Sequence, residues 1–179
     1  MSTILAFAGS NSSTSINHQL VTYLTTQLQE TSFELFKLSD MDLVIYSEDE
    51  QRENGFPSSI NQIYKHIQAS EGLLISVNEH NGNPSAFFKN VLDWLSRLDR
   101  KFLEGKKIFL LSTSNGARGG MSSLDVVKNM LPRFGGEIVD TYSLPSFKEN
   151  FSEEEKKISN AAINHEIVEK LHQFEAALK

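Results

Sequence analysis

The sequence predicts an α/β domain whose parallel sheet is covered by helices on both faces. Two observations predict it. Short apolar runs alternate with amphipathic segments along the whole chain, and two of the runs, Gly72–Val77 and Ile108–Leu111, are apolar almost throughout. Strand–helix alternation gives a parallel sheet, and strands without polar alternation are those buried on both faces.

The first run, Ile4–Ala8, ends at Gly9, and helical spacing follows at Ile16, Leu20, Val21, Leu24 and Leu28. The second run, Phe33–Leu38, alternates with polar residues and predicts a less buried strand. Glu48, Asp49, Glu50 and Glu53 then precede Asn54-Gly55, a pattern read as a solvated acidic loop, with a lid or interface role as the alternative. Ile60, Ile63, Tyr64 and Ile67 mark the next helix, and Gly72–Val77 the third strand. Phe87, Phe88, Val91, Leu92, Leu95 and Leu98 form another helical stripe, with Asn83 as its expected cap and Pro84 as its first residue. After the fourth strand, Met121, Leu124, Val127 and Leu131 recur at helical spacing. Pro132 ends that helix, and Gly135-Gly136 turn the chain into a fifth strand, Glu137–Tyr142. The last helix is expected from Glu153 to Leu178, with Ile163, Ile167, Leu171 and Phe174 inward. Five strands joined by right-handed crossovers point to the order 2-1-3-4-5, a flavodoxin-like three-layer sandwich occupying residues 1–179 as a single domain.

Composition narrows the function. A chain of 179 residues is long enough for one self-sufficient core. With no cysteine, disulfides and thiol chemistry are excluded, which fits a reducing, cytoplasmic setting. A formal charge of −6 argues against nucleic acid as a partner. The N-terminus lacks a basic region ahead of its short apolar run, so no signal peptide is expected, and no stretch approaches the ~20 apolar residues of a membrane span. His165 and His172 lie two turns apart on the last helix and read as surface residues rather than metal ligands, so no metal site is expected. No Gly-x-Ser-x-Gly elbow suggests a serine hydrolase.

Ligands of such sheets bind outside the carboxyl ends of the strands, near the switch point. The loop after strand one, Gly9-Ser10-Asn11-Ser12-Ser13-Thr14-Ser15, is rich in hydroxyls and opens a helix near Ser15. A helix N-terminus offers free N–H groups and partial positive charge, so this loop suits a phosphomonoester. It lacks the Gly-Lys-Ser/Thr of a Walker loop and the three glycines of a dinucleotide fingerprint. The loops after strands three and four, Asn78–Pro84 and Ser112–Gly120, each carry an Asn-Gly turn dipeptide. Together they could hold a flat ring system by its edge. An ordinary strand-to-helix turn is the competing reading for each loop taken alone.

Taken in order, the three loops resemble those of the NAD(P)H-dependent FMN reductase family, which includes quinone, azo-dye and chromate reductases. Gly9, Ser10, Ser15 and Asn17 match its Gly-Ser-x-Arg-x-x-Ser-x-Asn loop. Glu79, Asn81, Gly82, Lys89, Asn90, Asp93 and Trp94 match Pro-Glu-Tyr-Asn-Gly followed by Lys-Asn and Asp-Trp. The third loop resembles its Ser-x-Gly segment with a following Gly-Gly. The likeness runs from Ile4 to about Phe151. Ser12 stands where the family has arginine, Asn78 where it has proline, and His80 where it has tyrosine.

The resemblance implies that Ser10, Ser12, Ser15, Ile16 and Asn17 cradle the FMN phosphate. It implies that Asn78, Glu79, His80, Asn81 and Gly82 lie against the isoalloxazine ring and bond its edge by backbone, and that Ser112, Thr113, Ser114, Asn115 and Gly116 flank the ring and ribityl chain. It further implies an oxidoreductase that takes electrons from NADPH or NADH and passes them to a small acceptor such as a quinone or free flavin. Because the cofactor carries that chemistry, no catalytic side chain is assigned. Homodimers or homotetramers are expected. Lys89, Asn90, Asp93 and Trp94 read as packing or subunit-contact residues. Arg118, the cation of the third loop, is a candidate partner for a nucleotide phosphate. A flavodoxin-type electron carrier and a flavin-free binding domain are the rival readings.

Overall fold

The computed structural model describes residues 2–179. The chain runs β1 (Thr3–Ala8), α1 (Ile16–Thr25), β2 (Ser32–Phe36), α2 (Glu48–Asn54), α3 (Ser58–Ala69), β3 (Gly72–Val77), α4 (Ala86–Leu98), β4 (Lys107–Thr113), α5 (Met121–Met130), β5 (Glu137–Leu144), α6 (Phe147–Asn150), β6 (Phe151–Ser152), β7 (Lys157–Ile158) and α7 (Ala161–Ala177). The main sheet is parallel with the expected order β2-β1-β3-β4-β5.

Strand periodicity divides the core in two. Leu5, Phe7, Leu73, Ile75, Ile108 and Leu110 face α3, α4 and α5. Their strand neighbours Ile4, Ala6, Leu74, Phe109 and Leu111 face α1 and α7. Each strand therefore feeds two apolar layers, which is why the middles of β1, β3 and β4 are apolar. Register aligns Val77 at the end of β3 with Ser112 of β4, and Gly9 N–H donates to Ser76 O at 2.8 Å. The carboxyl ends of β1, β3 and β4 thus stop at one level, and the three loops leave from one edge.

The structure corrects four boundaries. The acidic run is a helix, α2, because Ser47 Oγ accepts from Glu50 N–H at 3.0 Å and caps it. The cap of α4 is Ser85, not Asn83, and Pro84 lies outside the helix. The backbone groups of Asn83 are bonded to His80 in a tight hairpin, so the helix begins later. The strand β4 runs through Ser112 and Thr113, which were expected in the following loop. The last helix starts at Ala161 rather than Glu153. The intervening residues form the antiparallel pair β6–β7, and Asn160 caps α7 through the N–H groups of Ala162 and Ile163.

Helix ends are tied to the sheet by side chains. Lys106 Nζ donates to Gln68 O at the end of α3, and Lys107 Nζ donates to Ala177 O at the end of α7. Glu175, only 3% exposed, accepts from the N–H groups of Gln29, Glu30 and Thr31 and from Thr31 Oγ1. Burial raises its pKa, but these donors together outweigh burial and hold it below the ordinary carboxylate value. No helix among the described residues is long and apolar enough to cross a membrane.

Candidate functional site

The first loop turns on its own hydroxyls. Ser10 Oγ accepts from Ser12 N–H, Ser12 Oγ accepts from Thr14 N–H, and Ser15 Oγ accepts from His18 N–H at 3.2 Å as the cap of α1. Gln19 N–H bonds Ser15 O. The cap therefore satisfies the third and fourth helical positions and leaves the N–H groups of Ile16 and Asn17 at the open end of the helix. Gly9 is required by contact: a Cβ there would lie 2.8 Å from the ring of Phe88, so the loop can descend onto α4 only without a side chain.

Asn17 does not offer its side chain to this loop's surface. It is 2% exposed, its Nδ2 donates to Thr113 O at 3.1 Å, and its Oδ1 accepts from Thr113 N–H at 3.0 Å and Ser76 Oγ at 2.7 Å. One amide thus locks α1 to the ends of β3 and β4. Only the backbone of Asn17 remains for a ligand, which narrows the role expected from sequence.

The second loop is a miniature hairpin. His80 N–H donates to Asn83 O at 2.8 Å and Asn83 N–H to His80 O at 3.1 Å. Asn81 and Gly82 sit at the tip with φ of 53° and 76°. Positive φ at both central positions defines the turn that Asn-Gly favours. The hairpin consumes the N–H groups of His80 and Asn83, so those of Asn81 and Gly82 remain at the exposed tip. The His80 ring is exposed, with Nε2 lying 3.1 Å from Asn78 Nδ2.

Glu79 points the other way. Its Oε2 accepts from Ser123 N–H at 3.1 Å, and Ser123 Oγ donates to Asn78 O at 2.8 Å. Gly120, the residue before α5, has no side chain with which to cap that helix. Glu79 supplies the cap from a different loop, and its charge suits a helix N-terminus. Its side chain thereby joins the second and third loops, and only its backbone remains for the ring contact expected from sequence.

The third loop is held at both ends. Ser114 Oγ accepts from Gly116 N–H, and Ser114 O accepts from Phe147 N–H at 2.9 Å. Ser143 Oγ donates to Arg118 O at 2.8 Å. Gly119 has φ +58°, and a Cβ there would meet Leu144 O at 2.5 Å, so β5 presses directly on its backbone. Asn115, Gly116 and Arg118 remain exposed, whereas Ser112 and Thr113 are buried in β4. Thr113 Oγ1 donates to Leu144 O. Ser112 and Thr113 therefore support the loop from beneath.

Two buried polar atoms at this edge lack a protein partner: Asn78 Oδ1 and Ser112 Oγ. An unpaired buried polar group is costly, and such groups cluster where water or a ligand completes the structure. The edge thus combines an open helix N-terminus, a turn tip with free amides, an exposed glycine-bearing loop and unpaired polar atoms. These are the features of a site for a phosphorylated, planar ligand. The first loop offers amides and hydroxyls suited to a phosphate and the second offers tip amides suited to a ring edge, so the residues present fit FMN.

Fold and site together define a flavodoxin-like nucleotide-binding domain. The chain matches the model of the NADPH-dependent FMN reductase family over residues 2–149 and belongs to that family. A quinone reductase of Escherichia coli is 35% identical over 79 residues, covering 44% of this chain and 42% of that relative, so the chain matches less than half the length of this curated relative. An uncharacterized protein of Mycoplasma pneumoniae is 35% identical over 100 residues, 56% of each chain. Among solved structures, the flavoenzyme NAD(P)H:(acceptor) oxidoreductase FerB of Paracoccus denitrificans superposes with a TM-score of 0.81 at 22% identity, over 97% of this chain and 95% of its own. The apo form of an NADH:FMN oxidoreductase gives 0.74 at 16% identity, over 100% and 91%. At these identities the structural likeness speaks to the fold.

Proposed function

We propose that this protein is an FMN-dependent NAD(P)H oxidoreductase that passes electrons to a small acceptor such as a quinone or free flavin, acting in the cytoplasm as a homo-oligomer. The observation that carries the reading is the meeting of the three loops at one sheet edge, in a member of the FMN reductase family. The N–H groups of Ile16 and Asn17, with the hydroxyls of Ser10, Ser12 and Ser15, hold the phosphate. The tip amides of Asn81 and Gly82 bond the ring edge, with His80 and Asn78 beside it. Ser114, Asn115 and Gly116 flank the ring and ribityl chain. FMN, when bound, supplies the two-electron redox chemistry.

The protein's own contribution is position and access. The amide of Asn17 fixes α1 against β4, and the Glu79–Ser123 bond fixes the second loop against α5. The turn tip stays open to solvent, so the donor and then the acceptor can reach the same ring face. Arg118, the exposed cation of the third loop, is the candidate partner for a phosphate of the nucleotide donor.

The test is the visible spectrum of the purified protein, before and after adding FMN and then anaerobic NADPH or NADH. Bands near ~450 nm that bleach within seconds are expected, and the faster donor names the nucleotide. Bands that bleach only with dithionite would favour an electron carrier. A protein that binds no FMN would overturn the reading.

A further inference from the structure

Three Asn-Gly pairs occur in the chain, Asn54-Gly55, Asn81-Gly82 and Asn115-Gly116, and all three asparagines are exposed. Asn-Gly is also the pair most open to spontaneous chemistry, because glycine leaves its backbone nitrogen uncrowded and free to turn. Once that nitrogen loses its proton it can attack Cγ of the asparagine. The N–Cγ bond forms, the Cγ–Nδ2 bond breaks and ammonia leaves, giving a succinimide ring. Water then opens the ring to aspartate, or to isoaspartate, in which the main chain runs through the side-chain carbonyl. No electrons are exchanged, and water is the only co-reactant.

The dipeptide is the same each time, so hydrogen bonding decides between the sites. At Asn54 both reacting groups are engaged. Its Nδ2 donates to Glu50 Oε1 at 2.9 Å, and Gly55 N–H donates to Gln51 O at 3.0 Å at the end of α2. At Asn115, Gly116 N–H donates to Ser114 Oγ at 3.2 Å, and Gly116 O accepts from Gly119 N–H and Ser146 N–H, each at 3.0 Å. At Asn81 neither the carboxamide nor Gly82 N–H has a hydrogen-bond partner among the described residues; the one bond to Asn81 is to its backbone oxygen, from Asn83 Nδ2. The pair sits at the tip of the hairpin closed by His80 and Asn83. A rotation of that tip brings the nitrogen onto Cγ with no bond of Gly82 to break. Attack at Asn54 must first undo a helix end, and attack at Asn115 a loop pinned to the segment after β5.

We infer that Asn81 is the chain's site of spontaneous deamidation. Conversion puts a carboxylate at the tip where a neutral carboxamide stood, and the isoaspartyl product lengthens the main chain between the two tip amides by one carbon. The effect on a ligand rests on the flavin reading above. The tip amides that bond the ring edge lose their spacing, and the new charge stands beside the ring's acceptor atoms. A tip held on FMN should in turn convert more slowly, so an occupied site preserves itself and an empty one ages.

The experiment ages the full chain in mildly alkaline buffer and follows each asparagine by peptide mass spectrometry with an isoaspartate assay. Asn81 should convert at least about fivefold faster than Asn54 or Asn115, since each of those must give up a hydrogen bond first. In concentrated denaturant the three rates should converge, because the dipeptides are identical. Equal rates in the folded chain, or faster conversion at Asn54 or Asn115, would overturn the assignment. So would a lead of Asn81 that survives unfolding. A second arm repeats the ageing with FMN at about ten times its dissociation constant, where Asn81 alone should slow about tenfold. FMN that binds without slowing Asn81, or that does not bind, would strike the flavin reading and leave the deamidation site standing. The variant N81D installs one product outright and should weaken FMN binding about tenfold. An affinity equal to that of wild type would overturn the effect on the ligand.

Discussion

Glu79 offers the sharpest perturbation of the candidate site. Its carboxylate bonds the N–H of Ser123 from a loop 44 residues earlier in the chain, and it does so where Gly120 provides no cap. Replacing it with alanine removes a charge-assisted cap at a half-buried helix end, worth about 1–2 kcal/mol. For a chain of this size the melting temperature should fall by about 2–8 °C, at roughly 2–4 °C per kcal/mol. The second loop also loses its tie to α5, so FMN affinity should weaken about tenfold, equivalent to roughly 1.4 kcal/mol. Glu79→Gln keeps an acceptor and loses only the charge, so its cost should be about 0.3–1 kcal/mol. Thermal melting of apo protein and titration of FMN by fluorescence quenching read the two effects separately. If Glu79→Ala melts and binds FMN like wild type, the cross-loop bond has no energetic role and the argument from geometry is wrong. If Ala and Gln cost the same, the charge contributes nothing and the cap is an ordinary neutral hydrogen bond.

Other perturbations have signs fixed by the structure. Asn17→Leu strands Thr113 N–H, Thr113 O and Ser76 Oγ in a buried site, and chemical denaturation should show a loss of about 3 kcal/mol or more. Gly119→Ala combines a positive φ with a Cβ that would collide with Leu144 O, so it should destabilise the fold by at least ~2 kcal/mol. Glu175 has a folded-state pKa below its unfolded value, so its stabilisation is fully present above the ordinary glutamate range near 4.5 and disappears as pH falls through the folded pKa. Glu175→Gln should therefore flatten the decline in stability below about pH 4.5, seen as acid melting curves that run closer to parallel with pH.

What the sequence disclosed depended on the scale of the signal. The central strands were legible because burial on both faces leaves no polar alternation: β3 falls on Gly72–Val77 as expected. The layers and strand order followed from connectivity alone. The errors came where one side chain outweighs periodicity. Glu153–Lys157 is charged and glycine-free and reads as helix, but the Asn160 cap begins α7 later and leaves room for the β6–β7 pair. Ser47 with Glu50 three residues on is a capping signal that the acid count concealed. In the site, the loops were located by position, but the division of labour within them was not. Asn17 and Glu79 look like polar loop residues available to a ligand, and tertiary contacts distant in sequence commit both side chains to the protein itself. The roles of Asn90 and Trp94 were equally hidden, since both side chains donate to Val44 O, 46 and 50 residues away.

The first loop carries one further consequence. Between Gly9 and Asn17 there is no lysine or arginine, and the pKa of His18 behind them is lowered, first by burial and then by Lys37. An anion seated there is met by oriented amides and hydroxyls that belong to the fold, rather than by mobile charges. Dissolved ions screen solvated charges over a Debye length of about 8 Å at physiological salt, but they cannot enter between an amide hydrogen and the oxygen it touches. Capture of the phosphate should therefore weaken with ionic strength less steeply than at a site built on lysine or arginine. Its response to acidity should follow the ligand's own second ionisation near pH ~6 rather than any group of the protein.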